Sequence, residues 1–478
     1  MKLTHLTDYL RRNASMTGQK PAVVFENQTV SWAELWSRVE QASGYMSQRL
    51  GNEKQEPAAL LLPNSIDFIV SYLAILHSGH MALPLDPAYK FLELDAIIEQ
   101  IPSKLLISDQ VYARQFSPNH RKKVVMVDDI LDSRDKPLEP LRLPADQQIA
   151  SLTFTSGTTG KPKAVPNTHS NHIWNIRTCS EVWDWTPADT LLVAVPLSHM
   201  LGVVMGLSGA LYHGNTIYLH SWFDETEVLK TLSSGKISFF SHAASAYVKL
   251  MQTKGNYDLS KVRLCVSGAA SLPPSVWHEF KNRFGVEIVE TYGTSETGRI
   301  AGNRLNERVQ GSPGKALPGV DLRLSGDGEV EVKSPGVFPG YYHNPQATAA
   351  NRTADGYWRT GDIAEVRDDY VYLKGRLQER IRRFGYTISP RDVEWAMHQH
   401  PKVKDIYVMG RQRANEPDDE LVYFIVTDLS ETEIRDYAKA NLIFAWRPDK
   451  IVRLDHDLPR TRSGKPSIGL LREMVTNA

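Results

Sequence analysis

Apolar runs too short to be helices recur between residues 58 and 268, each separated from the next by a longer amphipathic stretch. AALLL (58–62), MALPL (81–85), KLLIS (104–108), TLLVAVP (190–196), NTIYLH (215–220), ISFFSH (237–242) and VRLCVSG (262–268) all have this form. A strand that is apolar on both faces needs cover on both, and intervening helices supply it. The pattern therefore predicts an α/β fold, a large N-terminal domain of parallel-rich sheets layered with helices. Asn64 and Ser65 are placed to cap the helix after the first of these strands and Gly79 to end it, with FLELDAIIEQI the next helix.

Near residue 303 the texture changes to short strands and Gly/Pro turns, such as GSPGKALPG and GDGEVEVKSPG, which predict a small β-rich subdomain. A basic stretch, GRLQERIRRFGYTISP (375–390), leads into a last segment with strands DIYVMG and LVYFIV and helices around 391–399 and 430–441. That segment reads as a compact α+β unit. The expected division is 1–377 and 378–478, in keeping with a chain too long for one typical domain. No internal repeat is visible.

The bulk numbers exclude several classes. Lys plus Arg equals Asp plus Glu, 55 each, so no global field favours nucleic acid or an anionic membrane. The longest apolar run, FIVSYLAIL (68–76), is far short of the ~20 residues of a membrane span. MKLTHLTDYLRRNAS reads as a short amphipathic helix without the apolar centre of a signal peptide. Cys179 and Cys265 cannot build a disulfide framework, which suits a reducing, cytoplasmic setting.

LTFTSGTTGKPKAV (152–165) runs from an apolar strand into Thr, Ser and Gly, then two lysines. Such a loop has nothing to pack, but it offers backbone N–H groups and hydroxyls to a polyphosphate. It is not a Walker A loop. That motif needs G-x-x-x-x-G-K-[ST], whereas Pro162 follows Gly160-Lys161 and Thr155 stands five before Gly160.

TSGTTGKPK is followed along the chain by PLSHMLG (196–202), ETYGTSETG (290–298), YWRTGD (357–362), GRLQERIRRFGYTISPRDVE (375–394) and LPRTRSGKPS (458–467). In that order, over essentially the whole chain, they resemble the motifs of the adenylate-forming superfamily: acyl- and aryl-CoA synthetases, stand-alone adenylation domains and firefly-type luciferases. The resemblance implies two half-reactions. A small-molecule carboxylic acid attacks the α-phosphate of MgATP, and a thiol then takes the acyl group. The thiol is that of CoA or of the phosphopantetheine arm of a carrier protein. A mobile C-terminal lid is implied as well.

The same resemblance assigns roles. Thr155, Ser156, Gly157, Thr158, Thr159, Gly160 and Lys163 would hold the ATP phosphates, and Glu296 the Mg²⁺ ion. Thr294 and Ser295 would bond the α-phosphate and the acyl carboxylate, Tyr292 would stack on adenine, Asp362 would hold the ribose, and Arg376 would supply a second sugar or phosphate contact. Lys465 would bridge carboxylate and α-phosphate, with Gln378 as the lid's pivot and Gly385 on the path of the thiol. The acyl pocket would be walled by His199, Met200, Val203, His242, Ala243, Gly268 and Ala269. Small residues at 243, 244, 269 and 270 leave room for an aryl ring or an acyl chain. His199 is read as an acyl-site gate or as a structural histidine.

Three departures stand out. Ala164 replaces the glycine usual after the loop lysine, Gln378 replaces a charged pivot, and RQRANEPDDE (411–420) replaces the ligases' common lid stretch. PLSHMLG holds no acidic residue to pair with an α-amine, which favours an acid without one. The arginines at 376, 380, 382, 383 and 391 suit either a phosphate-bearing thiol carrier or a solvated basic face. His169/His172 and His398/His400 have no partners at zinc spacing. A carrier-protein acceptor, and a non-catalytic nucleotide-binding role, remain the alternatives to a CoA ligase.

Overall fold

The computed structural model describes residues 3–155, 163–384, 386–412, 418–461 and 464–476. Two sheets form the body. The first has six strands in the order Val124–Met126, Leu105–Ser108, Pro57–Leu61, Met81–Pro84, Ile149–Thr155 and Lys163–Thr168. All its neighbours are parallel except the last pair. The second has thirteen strands, with a parallel centre of Pro21–Phe25, Thr216–Leu219, Thr190–Val193, Phe239–Ala243, Leu264–Gly268 and Ile288–Thr294. The expected α/β layering is therefore present.

The helix Ile66–His77 is buried along nearly its whole length because it packs in the main core with residues of both sheets, including Leu60, Val193 and Val266. That is why its sequence is apolar on every face. Ser65 caps it, its Oγ accepting from the Phe68 N–H at 3.0 Å. Asn64 does not share the cap. Its Nδ2 donates to the Val195 and His220 carbonyls, both at 3.0 Å, and its Oδ1 accepts from the Leu197 N–H at 2.8 Å. With its amide occupied this way, Asn64 pins one sheet to the other.

The β-rich region is not a separate sheet. Strand Ile288–Thr294 pairs parallel with Leu264–Gly268 through residues 288–290 and antiparallel with Gly298–Gly302 through residues 291–294. The strands beyond, including Trp358–Arg367 and Tyr370–Arg376, extend the same thirteen-stranded sheet. The register shifts between Tyr292 and Gly293, where the backbones come so close that a Cβ on Gly293 would lie 2.1 Å from the Gly298 carbonyl oxygen. Only glycine fits there.

After Arg376 the chain passes through an exposed turn, Leu377–Glu379, into the C-terminal unit. That unit is a hairpin, Ile381–Arg383 with Tyr386–Ile388, and a three-stranded sheet, Val403–Gln412, Asp419–Thr427 and Lys450–Leu454, with helices Pro390–Met397, Glu431–Asn441 and Ile468–Thr476. The basic strip is less available than its sequence implies. Arg383 is 7% exposed, paired with Asp449 at 2.5 Å and donating to the Arg447 carbonyl at 2.7 Å. Among the described residues no helix is long and apolar enough to cross a membrane.

Candidate active site

Ligands of open α/β sheets bind beyond the carboxyl ends of the parallel strands, where backbone and side chains are freed from the ladder. The expected site residues gather there. His199 and Met200 follow strand Thr190–Val193, while His242 and Ala243 end Phe239–Ala243. Gly268 and Ala269 stand at the end of Leu264–Gly268, and Thr294, Ser295 and Glu296 at the end of Ile288–Thr294. Ala269 holds φ +65°, an uncommon backbone for a residue with a Cβ and a form of strain that clusters at functional sites.

Asp362 is 6% exposed, and both of its oxygens are engaged. Oδ2 accepts from the Tyr292 hydroxyl at 2.8 Å, and Oδ1 lies 3.1 Å from Arg376 Nε, its partner across the strand pair. Burial works against the Arg376 charge, but Asp362, Glu379, Tyr292 and Glu296 outweigh it, so the arginine's pKa is raised. Tyr292 is buried, and burial first, then Asp362, pushes its pKa well up.

Glu296 is half-buried. Its Oε1 accepts from the Tyr341 hydroxyl at 3.0 Å, and its carbonyl accepts from the Phe338 N–H at 2.8 Å. Lys163 opens strand Lys163–Thr168 with Nζ 4.9 Å from the centre of the Tyr341 ring. Ala164 sits in regular strand opposite Phe154, so the methyl in place of glycine meets no backbone strain. Ser156, Gly157, Thr158, Thr159, Gly160 and Gly385, with the side chain of Thr155, lie outside the described residues.

A small cavity of about 40 Å³ joins Ser295, His199 and Met200 to Pro84, Asp86, Tyr89, Thr153, Phe154 and Ser198. His199 Nε2 lies 3.0 Å from Asp86 Oδ2. The Thr153 and Ser198 hydroxyls lining it are buried without a hydrogen-bond partner among the described residues. Val203 is fully buried in the main core, against which Met200 packs. Burial pulls the pKa of His242 down to about 4, so it is neutral, its Nδ1 accepting from the Ala243 N–H at 2.9 Å. His172 is likewise structural, bonded to Ser151 Oγ at 3.0 Å and Ser208 Oγ at 3.1 Å.

Lys465 comes from the other unit. Its loop is tied by the Thr461 N–H donating to the Lys465 carbonyl at 2.7 Å and by Arg460, which donates to the Gly464 carbonyl at 2.9 Å and pairs with Asp405 at 2.6 Å. The ammonium reaches a cleft shared with Arg376, Glu296, Asp362 and Arg391. It stays open to solvent there, yet the protein around it, then Arg376, lowers its pKa, with Glu296 and Asp362 opposing.

The loop docks through Gly464, at φ +82°, where a Cβ would lie 2.2 Å from Ser245 Oγ and 2.9 Å from the Ala243 Cβ. Gly464→Ala is expected to push the lysine loop off its seat and slow the step that uses Lys465 by about tenfold, from a strain of ~1–2 kcal/mol. Its thermal midpoint should stay within a few degrees of the parent's. Unchanged rates would show that the docked loop is not the working one.

Two contributors escaped the sequence reading. Tyr341 lies in FPGYYHNP, which carries no charged signature. Asp86 had a signal, a carboxylate placed directly after a parallel strand in PLDPAY.

A family model described as AMP-binding enzyme matches residues 10–342, and one described as AMP-binding enzyme C-terminal domain matches residues 392–465. The chain is 29% identical to the human mitochondrial malonate–CoA ligase, an alignment covering 94% of this chain and 88% of the relative. Among solved structures, ATP-bound MatB from Rhodopseudomonas palustris matches with a TM-score of 0.90 at 26% identity, covering 98% of this chain and 99% of that one. The O-succinylbenzoate coenzyme A synthetase of Bacillus subtilis, in complex with ATP and a magnesium ion, matches at 0.87 and 26%, covering 97% and 99%.

Proposed function

Because the chain belongs to the AMP-binding enzyme family, whose models match residues 10–342 and 392–465, we propose that it is an ATP-dependent acid–thiol ligase that makes an acyl-CoA. A carboxylate oxygen attacks the α-phosphorus of ATP, and the bond to the β-phosphate breaks as pyrophosphate leaves with its electron pair. The CoA sulfur then attacks the acyl carbon of the adenylate, and AMP leaves. The observation that carries this reading is the meeting of Lys465, from the C-terminal unit, with Glu296, Asp362 and Arg376 of the body.

Adenylation crowds anions around one phosphorus, so positioned cations and donors are what accelerate it. Lys465 supplies charge between carboxylate and α-phosphate, and Lys163 supplies it beside the β- and γ-phosphates. Thr155 and the residues 156–160 after it cradle those phosphates, and Thr294 and Ser295 orient the α-phosphate and the acid. Asp362 and Arg376 hold the ribose, and Tyr292 lies against adenine. Glu296 fits a magnesium ion: among the described residues only Tyr341 engages its carboxylate, through one oxygen, leaving the other for a hard cation. No group of three metal-ligating side chains occurs among the described residues, so the nucleotide's phosphates would complete that shell. Bound there, magnesium would neutralise phosphate charge.

We place the lid at 378–478, pivoting at Gln378 in the exposed turn and passing the thiol near Gly385. Both relatives' named acids, malonate and O-succinylbenzoate, carry two carboxyl groups, and both names specify CoA. No observation favours a carrier protein. The buried free thiols of Cys179 and Cys265 suit a reducing compartment such as the cytoplasm.

Pyrophosphate release from MgATP, measured over aryl, short-chain and long-chain acids with and without CoA, tests the reading. Release with one class of acid, accompanied by acyl-CoA, is the expected result. Release that ignores CoA would overturn the acceptor, and none with any acid would overturn the ligase.

A further inference from the structure

Arg299 stands on strand Gly298–Gly302, three residues beyond Glu296. Its backbone N–H donates to Asn175 Oδ1 at 2.7 Å, which fixes where the side chain starts. The half-buried guanidinium lies beside Cys179 and the end of strand Leu264–Gly268, with Nη1 3.9 Å from the point a Cβ on Gly268 would occupy. No hydrogen bond or ion pair joins that guanidinium to any described residue. Burial lowers its pKa, and the one group opposing is Cys179, a thiol that burial pushes up to about 12 and so keeps neutral.

Other arginines of the chain, their side chains buried at 383 and 308 and about one third exposed at 263, are paired. Arg383 has Asp449 at 2.5 Å, Arg308 has Glu287 at 2.8 Å and Arg263 has Asp189 at 2.5 Å. An enclosed cation without a counter-charge is unfavourable, and a ligand that brings the charge removes the penalty. A second orphan lies on the same face. Ala243 is in register with Gly268, so Ser241, two residues earlier, shares that side of the sheet. The Ser241 hydroxyl is buried without a partner among the described residues and lines a small apolar cavity with Leu201, Met205 and Phe239. Ala243 and Gly268, small candidate pocket walls paired across the two strands, stand on the side of the sheet that Ser241 shares, and Arg299 reaches the Gly268 end of it.

We propose that Arg299, with Ser241, forms the distal end of the acyl pocket and receives a second carboxylate, so that the substrate is a dicarboxylic acid adenylated at its other end. This rests on the ligase reading above. The half-ester of such an acid would leave the guanidinium unpaired, and a site built for a charge rejects its neutral isostere strongly. Arg299 is thus a specificity-determining residue and takes no part in the chemistry.

The experiment compares a series of α,ω-dicarboxylic acids with their mono-methyl esters, by pyrophosphate release, in the wild type, Arg299→Met and Arg299→Lys. Binding of one acyl-sulfamoyladenosine bearing a free terminal carboxylate is measured beside its methyl ester, a readout that needs no turnover. The wild type is expected to prefer the diacid over the half-ester by about 100-fold, the scale for truncating one partner of an enclosed charge pair. Met should collapse that ratio towards one and Lys restore part of it. Met should not lower the thermal midpoint, since a half-buried charge without a counter-charge among the described residues is removed. A wild type that handles half-esters or monoacids as well as diacids, or a ratio unmoved by Met, overturns the inference and leaves the ligase standing. Absence of pyrophosphate with every acid and of binding by both analogues overturns the ligase reading, and this one with it.

Discussion

Replacing Lys465 with Ala is expected to slow adenylation by about 1000-fold or more, while acyl transfer to CoA from supplied acyl-adenylate stays within about threefold of the parent. The first figure is the scale on which a preorganised donor aimed at developing charge acts. Preorganisation is visible in the loop: the Thr461 N–H, Arg460 and Asp405 hold its turn, and Gly464 seats it on Ala243 and Ser245. The charge is exposed at the tip, its pKa lowered by the protein around it and then by Arg376, and so well suited to meeting anions. Deleting it removes repulsion from Arg376 and Arg391 together with attraction to Glu296 and Asp362, so the fold should change little in stability. Pyrophosphate exchange measures the first half-reaction, and thioester formation from synthetic adenylate the second. Equal losses in both would overturn the assignment of Lys465 to one half-reaction.

The layered body was legible because fully buried parallel strands read as continuous apolar runs, as at Ala58–Leu62. The continuity of the thirteen-stranded sheet was not. It depends on Ile288–Thr294 changing from a parallel to an antiparallel neighbour at the Tyr292/Gly293 shift, and a lone glycine does not say which backbone will come close. Long-range pairing hid the rest. Arg383 looked like part of a surface strip, but its partner Asp449 lies 66 positions away. Asn64 looked like a cap, but its bonds are made to carbonyls and an N–H more than 130 positions on.

The candidate site was legible wherever a motif spans a strand end, as in YGTSE and RTGD. Residues that act through one bond in otherwise ordinary text were missed. Tyr341 reaches Glu296 across 45 positions and Asp86 reaches His199 across 113. Arg299 gives no sequence signal that it lacks a partner. Only the packing around Gly268 and Cys179 exposes it.

On the proposed reading Asp362 joins stability to nucleotide binding, and two substitutions separate them. Asp362→Asn keeps an acceptor for the Tyr292 hydroxyl but removes the charge that faces Arg376. The Arg376 side chain is 40% exposed, so solvent screens that pair and its loss should destabilise by no more than about 1 kcal/mol. The proposed ribose contact should suffer more: kcat/KM for ATP is expected to fall by about 100-fold, the scale of a lost charge-assisted hydrogen-bond set. Asp362→Ala should lose at least as much activity and a further ~2 kcal/mol of stability, because the buried Tyr292 hydroxyl loses the Asp362 oxygen as its acceptor. Denaturant midpoints and ATP dependence of pyrophosphate exchange, measured on both variants, give the two quantities independently. An Asn variant with unaltered ATP kinetics would remove Asp362 from the nucleotide site and leave it a structural brace between Tyr292 and Arg376. An Ala variant as stable as Asn would show that the Tyr292 hydroxyl finds another acceptor in this cleft.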